Sequence, residues 1–325
     1  MTLLTSPGRL ATILLFALTL FSVNLPVCLA GAEAGQEGEI TPNWLDRVQG
    51  VISREVYNQA VWFDNFFSDE LADDEGYPST FGRIRFSLRW NEDKQWSSSA
   101  QFHLQVHLPK ASNRLKIIIT GKDEGDLSVV LPGDVPQETT GTGTNLALRY
   151  DIVENRKSKV SASLGVSSSL DPYVRARYRY IIPLGATGLT RLTETVYYRL
   201  ERGFEETSQV DLEKSLDPET LLRWTGSGKW SVAERNIGLD WFSEIVFFHR
   251  LTLKGALTYR IRASGISQPD IMVKTYLAGV NLRRNFYREW LFYEIEPEIQ
   301  WIRDDFGEYA PVGAITARLE MQFRK

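Results

Sequence analysis

From residue 80 to the C-terminus, apolar and polar residues alternate with a period of two along most of the chain. The segment VRARYRYII, residues 174–182, shows this most clearly, because Arg175, Arg177 and Arg179 alternate with alanine and tyrosine. A strand sends successive side chains to opposite faces, so one face of this strand is guanidinium and the other is apolar. A soluble sheet would bury the apolar face, whereas a membrane barrel turns it toward lipid and encloses the arginines.

The first thirty residues have the features of a cleaved secretory signal peptide. Arg9 precedes an apolar run over residues 10–23, and Ala30 or Ala32 occupies the position before the expected cleavage site. The run is shorter than the ~20 residues that a membrane helix needs, although a retained anchor is the alternative. Cleavage removes Cys28, the only cysteine.

The composition narrows the class of protein further. Without cysteine and with three histidines, the exported chain is expected to have no disulfide, no metal site and no cofactor. The 37 basic and 41 acidic residues give a net charge of −4, so we expect no nucleic-acid partner. Aromatic residues make up 12% of the chain, which is typical of a bacterial outer-membrane barrel.

Residues 31–78 are predicted to form a region of their own: a polar linker followed by a short amphipathic helix. Apolar residues recur every three or four positions between Trp44 and Ala60, and an aromatic cluster ends near Phe67. The helix either packs on the periplasmic mouth of the barrel or enters it as a plug. An acidic stretch over residues 68–77 is interpreted as a solvated linker.

Residues 79–325 contain about fourteen strand-like segments, each close to the ~10 residues that a tilted membrane strand needs. If both ends of the barrel region lie in the periplasm, the connections after even-numbered segments should be short. They are short, and those after odd-numbered segments are longer except around residues 169–172. The fold prediction is therefore an all-β, antiparallel transmembrane β-barrel of about 14 strands, within a range of roughly 12–16.

Two stretches also carry a family resemblance. LLRWTGSGKWS (residues 221–231) and REWLFYEIEPEIQW (residues 288–301), with LRRN (residues 282–285), resemble an uncharacterised family of proteobacterial outer-membrane or exported β-barrel proteins. The resemblance covers most of the second half of the chain. It implies a location and a fold, and it transfers no activity and no catalytic residue.

The charged strand residues share one parity, which we assign to the barrel interior. An Arg on the lipid face costs roughly 2–4 kcal/mol near the midplane, so three in one strand would cost on the order of 10 kcal/mol. Pro297 has no amide donor and should mark a bulge or a weak point in its strand ladder. The residues predicted to face the lumen are Arg83, Arg85, Arg89, Arg149, Arg175, Arg177, Arg179, Arg260, Arg262, Arg283, Arg318, Glu294, Glu296, Glu298 and Glu320.

These charges leave two functions open. Charged rings can set the ion preference of a water-filled path, or paired Arg and Glu can stabilise a closed wall. A barrel of about fourteen strands is wider than its side chains readily fill. Because arginine outnumbers acid in the set, we predict a passive pore or transporter for small polar solutes, with a preference for anionic ones. A closed barrel with a structural or assembly-partner role is the alternative.

An enzyme is not expected. His103 and His107 share a strand face but stand roughly 13 Å apart, which is too far to share a metal ion. No serine is directly beside either histidine, so no nucleophile–base pair is visible and no catalytic residue is predicted. An outer-membrane lipid hydrolase is the remaining enzymatic alternative.

Aromatic residues near the segment ends predict anchoring at the membrane interfaces. Phe292 has inward parity, so packing against a plug or an inward turn is its alternative. The expected partners are outer-membrane lipid and, during insertion, the barrel-assembly machinery of a Gram-negative cell; the oligomeric state has no visible signal. The predicted anchors are Trp90, Trp241, Trp290, Tyr293 and Trp301.

Overall fold

The structure is a computed structural model that describes residues 58–63, 66, 80–93, 95–108, 114–122, 143–154, 157–167 and 170–324. All of these residues belong to the unit Asn43–Lys325. The predicted signal peptide and residues 31–57 of the predicted linker and helix lie outside the described residues. In the described part, no helix is both long enough and apolar enough to cross a membrane.

The strands form one closed antiparallel barrel in which each strand pairs with its neighbours in the sequence and the last strand pairs with the first. The predicted antiparallel barrel and its strand number are therefore confirmed. The strands are β1 (Phe81–Asn91), β2 (Gln95–His107), β3 (Leu115–Lys122), β4 (Gly143–Glu154), β5 (Ser158–Ser167), β6 (Pro172–Leu184), β7 (Gly188–Arg199), β8 (Gly203–Asp217), β9 (Thr220–Ser231), β10 (Leu239–Thr252), β11 (Gly255–Ile266), β12 (Met272–Asn285), β13 (Leu291–Arg303) and β14 (Tyr309–Arg324).

Burial follows the sequence alternation and separates the two faces of the barrel. On β6, Arg175, Arg177 and Arg179 are buried, whereas Val174 and Tyr178 are 48% and 45% exposed. Because the buried parity is polar and the exposed parity is apolar, the molecule is inverted relative to a soluble protein. The apolar residues cover the outside, as a barrel in lipid requires.

The lengths of the connections between strands distinguish the two ends of the barrel. Connections after even-numbered strands form what we call the short-turn end, which includes turns of two residues at 218–219 and 253–254. The opposite end, the loop end, carries the longest connection, residues 123–142. The predicted alternation of short and long connections is weaker than expected, because 92–94 and 200–202 are short in addition to 168–171.

The strand ladder is irregular at several positions, and two of them involve a proline or a glycine. Between β12 and β13 the pairing stops after Gly279↔Glu298 and resumes at Leu282↔Ile295 in the same register. Pro297 therefore marks a local gap without a bulge, because its nitrogen cannot donate a hydrogen bond. A bulge between β11 and β12 occurs instead at Ser264 and Gly265, where a Cβ on Gly265 would collide with the Met272 carbonyl oxygen.

Candidate functional site: the charged barrel interior

The structure places all fifteen predicted lumen residues on the inner face of the barrel. Thirteen of them are buried, and Arg83 and Arg89 are partly buried on the same parity of β1 as Arg85. This placement concerns position alone, so a role in solute selectivity stays a prediction. Among the described residues, the buried charged side chains comprise fourteen basic and nine acidic groups, and they are distributed unevenly around the barrel.

On one side of the interior, strand register sets arginines directly opposite glutamates. Arg283 lies opposite Glu294, and Arg85 lies opposite Glu320. Directly opposed side chains on one face of a sheet are close enough for opposite charges to stabilise the pair. We call this group the paired wall; its buried members, on β10–β14 and β1, are Arg85, Arg260, Arg262, Arg283, Arg318, Glu244, Glu294, Glu296, Glu298 and Glu320.

The paired wall is a continuous network, because its side chains have more than one partner. Arg283 contacts both Glu294 and Glu320, the latter at 2.6 Å between Nη2 and Oε1. Arg85 reaches the same Glu320 at 2.7 Å. Arg318 bridges Glu294 and Glu296. With five basic and five acidic buried members, the wall is neutral in formal charge.

Toward the loop end, the members Arg260 and Arg262 are joined by Arg89, which is partly buried and stands outside the neutral set of ten. Arg260 contacts Glu298 at 2.7 Å, and Arg89 of β1 contacts the other oxygen of Glu298 at 2.6 Å. Arg262 pairs with Glu244 at 2.9 Å, the residue directly opposite it on β10. Glu298 of β13 lies between guanidinium groups of β1 and β11, so the network links strands that share no hydrogen bonds.

The opposite side of the interior carries a second group, which we call the basic wall. In a fourteen-strand barrel β4 lies seven strands from β11, so this group lies across the lumen from the paired wall. Its one buried acid, Asp151, contacts Lys116 at 3.4 Å and Arg149 at 2.8 Å. The members, on β3–β6, are Lys116, Arg149, Lys159, Arg175, Arg177 and Arg179.

Register on the basic wall brings like charges together. Lys116 lies directly opposite Arg149, and Lys159 lies directly opposite Arg179. The other residues in register with the β6 arginines are hydroxyl-bearing, and Arg175 is within 3.4 Å of the Tyr197 hydroxyl and 3.5 Å of the Ser163 hydroxyl. Like charges in register destabilise a sheet unless an acid offsets them, as Asp151 does for Lys116 and Arg149.

A third group of charges on β7–β9 was missed by the sequence interpretation. Glu213 contacts Arg223 at 2.9 Å and Arg191 at 3.2 Å, and Asp211 accepts a hydrogen bond from Thr225. The alternation of Asp211 and Glu213 with Val210 and Leu212 was a usable signal for this site. The buried Glu244 of the paired wall was also missed, because it stands among aromatic residues on both sides.

At the short-turn end, the inner face becomes apolar and receives a helical segment. Residues 58–63 are helical, and with Phe66 they form what we call the docked segment. Phe63 packs on Phe248 with ring centroids 5.1 Å apart, and Phe66 packs on Phe292 at 5.7 Å. The buried apolar cluster is Ala60, Phe63, Phe66, Leu221, Val246, Phe248, Ala256 and Phe292.

Two polar contacts hold the docked segment to the strands. The Arg283 Nε donates a hydrogen bond of 2.7 Å to the Phe66 carbonyl oxygen, and Gln59 donates one of 2.8 Å to the Asp217 carbonyl oxygen. Arg283 therefore connects the docked segment to the paired wall. These contacts place the described part of the helix against inward-facing residues at the short-turn end, and both predicted positions, on the mouth or as a plug, stay predictions. The same contacts also account for the inward Phe292.

The predicted aromatic anchors fall at both ends of the barrel. Trp290 and Tyr293 lie near the short-turn end, where Trp290 stacks on Phe323 with ring centroids 6.1 Å apart. Trp90, Trp241 and Trp301 lie near the loop end on the outward parity of β1, β10 and β13. Aromatic residues at both ends are expected of a membrane barrel, and the anchoring role of these five stays a prediction.

No protein-family model matches the chain, and no curated protein matches its sequence. The predicted family resemblance therefore stays a prediction. Among solved structures, the chain is similar to OmpT of Vibrio cholerae, with 9% identity, 76% of this chain and 98% of that chain covered, and a TM-score of 0.47. It is also similar to OccK11 of Pseudomonas aeruginosa, with 9% identity, 76% and 96% coverage, and a TM-score of 0.43.

A third similar structure is the KdgM porin in complex with disordered oligogalacturonate. It has 4% identity, covers 74% of this chain and 99% of that chain, and gives a TM-score of 0.37. At such low identity and TM-score, the ligand of that porin carries no information about the ligand of this chain.

Proposed function

We propose that this chain is an outer-membrane barrel that passes small polar solutes passively and prefers anions. The observation that carries the proposal is the charge of the interior: fourteen buried basic against nine buried acidic side chains among the described residues. Charged groups that line a pore set its ion preference through their electrostatic field. An excess of fixed positive charge lowers the barrier for anions and raises it for cations.

A membrane position is supported by the outer face. Large apolar side chains such as Phe86, Leu88, Ile295 and Ile315 are 43–47% exposed. Exposed large apolar side chains on so many strands are atypical of a soluble monomer and fit a lipid environment. The aromatic residues at the two ends support the same position. We assign the short-turn end to the periplasm, by analogy with other barrels of this kind.

The solute path is proposed to follow the basic wall. The docked segment packs on β9 and on β10, β11 and β13, and the last three strands belong to the paired wall. The paired wall is neutral and internally bonded, so its contribution is to the rigidity of the barrel. Among the described residues, the basic wall carries the excess of buried positive charge, and it faces the paired wall across the lumen.

The test is the reversal potential of purified protein in planar bilayers under a salt gradient. We expect a potential of the sign that reports anion preference, and a shift toward zero when Arg177 is replaced by glutamine. The matched control is Arg284→Gln, which removes the same charge from an exposed position. Clear cation preference of the unmodified protein would refute the proposal.

The second candidate function, a closed barrel without transport, is favoured by the docked segment. Its aromatic cluster fills the inner face at the short-turn end and is held there by Arg283. A closed barrel predicts no conductance for the full mature chain and measurable conductance after deletion of residues 31–78. If the full chain conducts and the deletion leaves the conductance unchanged, the segment does not close the barrel.

A further inference from the structure

We propose that the outer face of β12 holds one anionic phospholipid, with its phosphate against Lys254 and Arg288 and an acyl chain along the strand. The ligand is a lipid whose phosphate has no compensating positive charge, such as a phosphatidylglycerol. The proposal rests on the membrane position of the barrel. It does not use the lumen, so it does not depend on whether the barrel conducts.

The two ends of the barrel differ in the charge of their connections. Among the described residues, the connections at the loop end contain nine acidic and two basic side chains. The described connections at the short-turn end contain four basic and two acidic ones. Basic groups at the level of the headgroups attract anionic lipid, so the short-turn end is the end that suits such a lipid.

Two turns at the short-turn end are bonded to each other and bring their cations together. The Asn285 backbone nitrogen donates to the Lys254 carbonyl oxygen at 2.7 Å, and its side-chain nitrogen donates to the Arg288 carbonyl oxygen at 2.8 Å. Lys254 and Arg288 are exposed, and neither forms an ion pair with a described residue. The Arg288 guanidinium lies 5.1 Å from the centre of the Tyr287 ring. A planar guanidinium and an ammonium group are both suited to a phosphate.

A groove on the outer face of β12 leads to these turns. Its floor is Ala278 and Val280, which are half-buried and smaller than their neighbours in register on β11. Ala278 lies between two isoleucines, one on β11 and one on β13. We call this surface the lipid groove; its exposed rims are Tyr259, Ile261, Ile295 and Ile299.

The length of the lipid groove fits one acyl chain. From Ala278 to the end of β12 at Asn285 the strand advances ~23 Å. With a tilt of about 40°, this corresponds to ~18 Å of depth, close to one leaflet of a hydrocarbon core ~30 Å thick. A lipid that follows the groove therefore has its headgroup at the level of the two turns.

The same turns carry apolar side chains that suit the membrane interface. Leu253 is 81% exposed and Tyr287 is 85% exposed. Tyr287 has a φ of +58°, which side chains other than glycine rarely adopt, and its ring lies against Arg288. Exposed leucine and tyrosine beside cations are typical of a segment at the level of lipid headgroups.

The experiment is native mass spectrometry of the detergent-purified full mature chain, titrated with phosphatidylglycerol. Phosphatidylcholine with the same acyl chains is the comparison without net charge. The central variant combines Lys254→Gln and Arg288→Gln. The control variant combines Lys214→Gln and Lys274→Gln, two exposed cations on strands away from these turns. Arg284 is unchanged in every variant, and heat-modifiable migration on gels verifies that each variant is folded.

We expect one phosphatidylglycerol to bind in preference to phosphatidylcholine, and the central variant to weaken its binding roughly 30-fold, since two cations near the headgroup are lost. The control variant should match the unmodified chain. A second variant, Ala278→Phe, fills the lipid groove and leaves both cations in place. It should also weaken phosphatidylglycerol, and it tests the site even if the central variant does not fold. Excess inorganic phosphate should not displace the bound lipid, because the acyl chain contributes to its binding.

Equal binding of the two lipids would overturn the inference, as would a control variant that weakens phosphatidylglycerol as much as the central one. Unchanged binding in Ala278→Phe would overturn it too. Displacement of the lipid by inorganic phosphate would replace it with a site for free phosphate. None of these outcomes changes the anion preference of the lumen, which the reversal potential tests separately.

Discussion

At the scale of single residues, Arg283 has contacts in the barrel interior that could not be predicted from its position in the strand alternation. Parity places it inside the barrel, and its partners follow only from strand register and from the docked segment. Its guanidinium contacts Glu294 and Glu320, donates to the Phe66 carbonyl oxygen and lies 4.3 Å from the Phe292 ring centre. These partners are distant in sequence, so the sequence alone cannot pair them.

Replacing Arg283 by glutamine should lower the free energy of unfolding by about 3–5 kcal/mol, because two buried carboxylates lose a shared counter-charge. Urea unfolding of the barrel in lipid vesicles, followed by tryptophan fluorescence, measures the loss. The adjacent Arg284→Gln serves as the control, since Arg284 is exposed on the outer parity and its loss should cost less than ~0.5 kcal/mol. Equal losses in the two variants would contradict the role given to Arg283.

At the scale of elements, the docked segment shows which features could be predicted from the sequence and which could not. The helical period between Trp44 and Ala60 predicts a helix, and residues 58–63 of the structure are helical. The surface on which this segment packs could not be predicted from that period. It consists of inward apolar residues of four strands, such as Leu221 and Phe248, that meet only after the barrel closes.

Replacing Phe63 and Phe66 by alanine should increase the conductance of the barrel. Each ring is buried, and truncating a buried Phe costs about 3–5 kcal/mol, so the docked segment would leave the inner face more often. Single-channel recording in planar bilayers measures the change. Phe86→Ala, on the outer face of β1, is the control and should leave the current unchanged. An unaltered current in the double variant would exclude a barrier at this place.

The basic wall gives a second prediction at this scale. Replacing Lys159 by glutamate would set an acid directly opposite Arg179 and introduce the pattern of the paired wall into β5 and β6. We expect the anion preference of this variant in bilayer recordings to fall, because one positive charge of the inner face is replaced by a negative one. Lys274→Glu, which makes the same change of charge at an exposed position, is the control. Unchanged selectivity of the Lys159 variant would count against a functional basic wall.

At the scale of the whole molecule, the sequence predicted the architecture well because the alternation repeats in every strand. The inward parity of Arg83 to Arg89 and of Glu294 to Glu298 follows from period two alone. The distribution of charge around the barrel could not be predicted, because it requires knowing which strands face each other across the lumen. The neutral side on β10–β14 and β1 and the basic side on β3–β6 appear only in the closed barrel.

The central claim is that the guanidinium face of each strand points into the barrel and the apolar face points into lipid. Spin labels on single cysteines along β6, in a Cys28→Ser background reconstituted in lipid vesicles, test it by collision with oxygen, which concentrates in the bilayer. The account predicts high oxygen accessibility at Val174, Ala176 and Tyr178 and low accessibility at Arg175, Arg177 and Arg179. The opposite phase, or no period of two along the strand, would contradict it.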